Sequence, residues 1–158
     1  MKTELFTAIR EDATEKVNAI LAKNPSLVSE KDQRGSTPLL LATYYGFQKT
    51  TEAILQYPQD IDAQDASGNT ALMGVCFKGF ENLASLLIEH GADIDKTNFN
   101  GATALIFAAT FAHTKIVSLL VDHGANVSIQ DDRGNTALLH AKMQGAKAII
   151  ELLENASE

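Results

Sequence analysis

Gly35-Ser36-Thr37-Pro38-Leu39 returns, altered in type but never displaced, as Gly68-Asn69-Thr70-Ala71-Leu72, Gly101-Ala102-Thr103-Ala104-Leu105 and Gly134-Asn135-Thr136-Ala137-Leu138. The copies stand 33 residues apart each time. A constant period of this length marks one supersecondary unit repeated in tandem, each copy too small to bury its own apolar face and therefore stacked on its neighbours. At 158 residues the chain is the size of one ordinary domain, so a single stack uses all of it.

Each copy carries its own start and stop signals. The threonine of the phrase (Thr37, Thr70, Thr103, Thr136) precedes a run of helix formers, where its hydroxyl accepts a free N–H of the first turn. Pro38 then falls at the first helical position, where a missing N–H costs nothing. This first helix ends at Gly46, Gly79 and Gly145, residues suited to a left-handed C-terminal position. Ala112 replaces that glycine in one copy and is expected to be strained. A second helix follows, with Leu83, Leu86, Leu87 and Ile88 in one copy and Ile116, Val117, Leu119, Leu120 and Val121 in the next. His90-Gly91-Ala92-Asp93-Ile94-Asp95 and His123-Gly124-Ala125-Asn126-Val127-Ser128 then read as a helix stop and an extended, hairpin-like finger.

The recurring phrase resembles the opening of the ankyrin signature G-x-T-P-L-H-x-A-A, and the likeness runs from about Thr3 to Leu153. It implies an all-α fold: an ankyrin-repeat α-solenoid of helix-turn-helix units with finger-like loops. The division expected is an N-terminal capping repeat over 1–33, full repeats over 34–66, 67–99 and 100–132, and a C-terminal capping repeat over 133–158. Leu5, Phe6, Ala8, Ile9, Val17, Ile20 and Leu21 supply the core of the first cap, while His140, Lys142, Lys147 and Glu154 wet the outer side of the last. Both ends therefore read as finished. The chain departs from the signature after the leucine, where Leu40, Met73, Ile106 and Leu139 replace histidine and any hydrogen bonding it supplies.

One helix column, Leu41, Gly74, Phe107 and His140, has an uneven volume. Gly74 costs about 1 kcal/mol of helix propensity relative to alanine. The expected compensation is space for Phe107 from the next copy.

Ankyrin repeats commonly bind partners on the concave surface formed by finger tips and first helices. By register, the resemblance implies partner contacts at Arg34, Tyr44, Tyr45 and Tyr57, then Phe77, Lys78 and His90, then Phe99, Phe111 and His123, and finally Arg133. Six of the ten aromatic residues (Tyr44, Tyr45, Tyr57, Phe77, Phe99, Phe111) fall in that set. Large rigid rings bury much area for little entropy, which is the composition of a binding hot spot. The competing reading of Phe77 and Phe111 is packing against neighbouring helices.

The fingers also carry acids: Glu30, Asp32, Asp60, Asp62, Asp65, Asp93, Asp95, Asp131 and Asp132. Asp32, Asp65 and Asp131, with Asn98 in the same register, stand three residues before the glycine, where a short side chain bonds its own turn. The others either solubilise the loops or steer a basic partner. None forms the alternating oxygen pattern of a calcium loop.

The remaining chemistry is sparse. Thirteen Lys and Arg against 20 Asp and Glu give a net charge of −7, which opposes nucleic acid and anionic membrane as partners. No apolar run is long enough for a signal peptide or a membrane span. The single cysteine, Cys76, forms no internal disulfide and occupies a small-residue slot, in keeping with a cytoplasmic location. His90 and His123 share a register and precede glycines, where they complement the helix dipole, and no histidine pair has zinc spacing. No catalytic residue, metal site or cofactor is assigned. The expected function is a noncatalytic module that binds a protein partner as adaptor or inhibitor and is itself a monomer. A self-associating assembly protein, a homodimer through the same patch, is the alternative, with an enzyme on the groove a more distant third.

Overall fold

The computed structural model describes residues 1–157. Ten α-helices follow one another as antiparallel pairs: α1 (Lys2–Arg10) with α2 (Thr14–Lys23), α3 (Pro38–Tyr45) with α4 (Gln48–Ile54), α5 (Ala71–Lys78) with α6 (Glu81–Glu89), α7 (Ala104–Thr110) with α8 (Thr114–Asp122), and α9 (Ala137–Gln144) with α10 (Lys147–Ala156). A 3-10 turn over Pro25–Ser29 follows α2. The first helices of successive pairs pack in one row, α1 on α3, α3 on α5, α5 on α7 and α7 on α9, while the second helices lie behind them. The result is an α-solenoid.

Local signals account for the helix boundaries. The hydroxyls of Thr37, Thr70, Thr103 and Thr136 accept from the amides of Leu40, Met73, Ile106 and Leu139, satisfying one otherwise free N–H in each first turn. Pro38 opens α3, and Gly46, Gly79 and Gly145 close their helices in the left-handed region. Ala112 adopts φ 59° in the same role, so the strain expected from its Cβ is present. Asp12 does likewise at φ 53° and stands 34 rather than 33 residues before its counterpart Gly46.

Between pairs, the apolar faces merge into one core. Leu39, Leu72 and Leu105 of the phrase are buried, as are Leu83, Leu87, Ile116, Val117 and Leu120 of the second helices. Leu86, Ile88, Leu119 and Val121 are half-buried against that core. Thr50, fully buried, takes the second-helix column held by Leu83, Ile116 and Ile149. Its hydroxyl donates to Asp12 Oδ1 at 2.7 Å and lies 2.8 Å from the hydroxyl of Thr14, tying α4 to the first pair.

The fingers are tight turns with no β-strand among the described residues. Asp32, Asp65, Asn98 and Asp131 each donate their amide to the carbonyl four residues on, at 2.9 to 3.0 Å. Fingers are joined by the Phe99 amide donating to the Ser67 carbonyl and the Asp132 amide to that of Asn100.

Two packing expectations need correction. A Cβ built on Gly74 meets nothing within 4 Å, so Phe107 does not fill space beside it; both line an open groove instead. The last helix pair is not uniformly wetted either. Lys142, Lys147 and Glu154 are exposed, but half-buried His140 is engaged with Asp131. Leu139, whose counterparts Leu40, Met73 and Ile106 are covered by the following helix, is 44% exposed.

Candidate functional site

Two helices of the first row end in a solvent-facing residue pair: Tyr44 and Tyr45 on α3, Phe77 and Lys78 on α5. With the fingers standing above them, these helices enclose a groove of about 570 Å³. Its walls include Arg34 and Ser67 from the fingers, Tyr44, Tyr45, Phe77 and Lys78 from the helix ends, and Met73 and Phe107 deeper in. That volume suits a few side chains of a partner.

The aromatic rings pair with one another without being covered. Tyr44 meets Tyr45 edge-on at 5.3 Å, and Tyr45 stacks on Phe47 at 5.4 Å. Phe77 lies 4.6 Å from Phe111 and 6.3 Å from Phe107. Lys78 links the two groups, its ammonium 4.4 Å from the centre of the Tyr44 ring, a cation–π geometry. Despite these contacts Tyr44 remains 57% exposed, and Tyr45, Phe77 and Phe111 are also exposed. Phe77 and Phe111 thus pack on each other while both still face solvent. Neither Arg34 nor Lys78 has an ion-pair partner among the described residues.

The other residues singled out by register lie elsewhere. Phe99 is the most exposed ring at 66%, but it caps a finger and borders a second hollow with Val28, Lys31, Gln59 and Gln64. Its ring crosses Gly68, where an added Cβ would come within 2.7 Å of it. Tyr57 is not an exposed hot spot; it is half-buried and packs on the core after α4. His90 and His123 follow α6 and α8, and each donates its Nδ1 proton back to a carbonyl of its own helix, Leu86 and Leu119, at 2.9 Å. Arg133 is exposed on the last finger. Phe107 and Phe47 lie outside the set that the register predicts, yet both join the aromatic groups, Phe107 from the column it shares with Gly74. No signal in the sequence marks this, since a glycine inside a helix suits a close approach as well as an open face.

Most of the acidic ridge is bound to backbone. Asp32, Asp65 and Asp131 each accept two amides of their own turns, as Asn98 does. Asp60 and Asp93 each accept the amide two residues on. Asp62 and Asp95 reach across to the next unit, accepting the amides of Asp93 and Asn126 at 2.9 and 2.8 Å. Burial raises the Asp62 carboxyl above its ordinary 3.8, and the nearby Asp93 and Asp60 carboxylates add to this against the amide of Asp93.

No group here resembles a nucleophile with its base. Cys76 is buried, and desolvation pushes its thiol well up, away from the reactive thiolate. His113 donates Nε2–H to the Phe77 carbonyl at 3.0 Å, and His140 bonds Asp131. The described residues hold no cluster of three or more metal-ligating side chains. Among them, too, no helix is long and apolar enough to cross a membrane.

A family model described as ankyrin repeats (3 copies) matches residues 5–98 and again residues 76–158. No curated protein matches the chain.

Proposed function

The chain belongs to the ankyrin-repeat family, and on that premise we propose that it is a noncatalytic protein-binding module whose partner docks on the groove between the fingers and α3, α5 and α7. Ankyrin repeats are in general protein–protein interaction modules. The observation that carries the reading is the set of paired but exposed rings Tyr44, Tyr45 and Phe77 that line one groove, with exposed Phe111 packed against Phe77 beside it. Rings held by their neighbours lose little freedom on binding, and a contiguous exposed apolar patch is uncommon on a surface with no partner. The module acts as an adaptor or as an inhibitor that masks its partner, in the cytoplasm and as a monomer. The buried, proton-holding Cys76 and the engagement of all four histidines in hydrogen bonds support a noncatalytic role.

The test compares the wild-type chain with a Tyr44→Ala, Phe77→Ala variant as bait in source-cell lysate, both first checked for native helicity. Proteins retained by the wild type and lost by the variant support the groove as the docking surface. Equal retention by both moves the partner to the fingers or to the second-helix side. A stable dimer of the free chain that dissociates in the variant replaces the adaptor reading with self-assembly.

A further inference from the structure

Resting on the groove as docking surface, we propose that its occupant is a protein segment carrying an apolar or aromatic anchor with a carboxylate beside it. Two features of the groove set this chemistry. The rings of Tyr44, Tyr45, Phe77 and Phe107 offer an apolar floor and walls. At its edge stand two cations, Arg34 and Lys78, that no carboxylate of the described chain engages. Lys78 instead rests over the Tyr44 ring, an arrangement that keeps the ammonium at the groove and available to an incoming anion. The two acids that share the lining, Asp32 and Asp65, each accept two backbone amides through one oxygen, so that part of their charge is satisfied within their own turns.

The rest of the molecule selects among anions. With 20 acids against 13 bases, a polyanion such as nucleic acid or an anionic membrane meets net repulsion over most of the surface. A single carboxylate held inside the groove meets the local cations at close range, where the distant acids are screened over about a Debye length. A basic segment would have to bring its own charge against Arg34 and Lys78 while giving up water, so the groove disfavours it.

The experiment is a selection from a random twelve-residue peptide library displayed on phage, run on the full chain, on an Arg34→Ala, Lys78→Ala variant and on a Tyr44→Ala, Phe77→Ala variant. The expected result is that the wild type enriches sequences joining an aromatic or aliphatic residue to Asp or Glu. Resynthesised peptides should bind roughly fivefold to tenfold more tightly than their Asn or Gln versions, a difference abolished in the Arg34→Ala, Lys78→Ala variant. A Lys78→Glu variant should turn the preference toward Lys and Arg. Enrichment of apolar peptides with no charge preference, or of basic ones, by the wild type overturns the carboxylate assignment and leaves the docking surface standing. Acidic peptides retained equally by the Tyr44→Ala, Phe77→Ala variant, or no enrichment over any variant, overturn both. Capture of phosphatidylserine vesicles by the wild type and not by the Arg34→Ala, Lys78→Ala variant also overturns the proposal, since it makes the cations a lipid contact.

Discussion

The imidazole of His113 lies directly over Gly79 and donates its Nε2 proton to the carbonyl of Phe77 at 3.0 Å, fastening the start of α8 to the end of α5. Gly79 makes this approach feasible in two ways. Its φ of +84° closes α5 in the left-handed region, and a Cβ there would stand 2.6 Å from His113 Cε1. The same column places the Phe80 ring over Gly46. Contact between one unit's helix end and the next unit's ring is thus a recurring joint of the solenoid.

His113→Ala is expected to lower stability by about 1–2 kcal/mol through the lost hydrogen bond and ring contact. Gly79→Ala should cost about 2 kcal/mol or more, combining left-handed strain with the clash. Because the ring that clashes is gone in the double variant, its loss should fall short of the two single losses added. Urea denaturation of the four proteins checks this, and strictly additive losses would mean that His113 does not cover Gly79.

Gly74→Ala is expected to raise stability by about 1 kcal/mol. Gly74 lies inside α5, is not among the residues with positive φ, and an added Cβ meets no atom within 4 Å. The methyl therefore gains helix propensity without a steric cost. A shift of the urea midpoint downward would show that the space beside α5 is filled in solution.

The parts of this fold that could be read in the chain are those whose causes are local. Threonine caps, the Pro38 start and the glycine stops each act within one turn, and the strain at Ala112 followed from the same rule. Tyr44, Tyr45, Phe77 and Lys78 were legible because a constant repeat fixes which side a position faces. Phe107 was not: the same column holds Leu41 and Gly74, and apolar composition alone does not say whether a column faces the next helix or open solvent. The cross-unit bonds of Asp62 and Asp95 were equally hidden, since their partners Asp93 and Asn126 lie 31 residues away. Tyr57 failed for a third reason, because the chain after the short α4 folds it back onto the core.

Thr51→Val is expected to stabilise the protein by about 1 kcal/mol. The Thr51 hydroxyl is buried and finds no hydrogen-bond partner, so it has left water for nothing. Ala84 and Val117 occupy its register in the following units, which shows that the slot accepts an apolar β-branched side chain. Thermal or urea unfolding gives the readout. A loss of stability would mean that the hydroxyl is bonded in solution.

Asp131 gives the protein an acid-sensitive joint. His140 Nε2 lies 2.8 Å from Asp131 Oδ2, both side chains are largely covered, and Oδ1 accepts the amides of Arg133 and Asn135. Burial by itself would raise this carboxyl; the bonds from His140, Asn135 and Arg133 outweigh it and hold it below its ordinary 3.8. The folded chain then binds fewer protons than the unfolded chain between the lowered value and 3.8, so stability falls as the pH falls through that window. Asp131→Asn isolates the charge, because Asn98 already performs the same turn with an amide oxygen. At about pH 6 the variant should be less stable by about 1 kcal/mol, and the gap should close as the pH drops below about 4. Urea titrations at a series of pH values measure it. A gap that stays constant down to about pH 2.5, below most ordinary carboxylate values, would show that the ionised carboxylate contributes nothing beyond its turn.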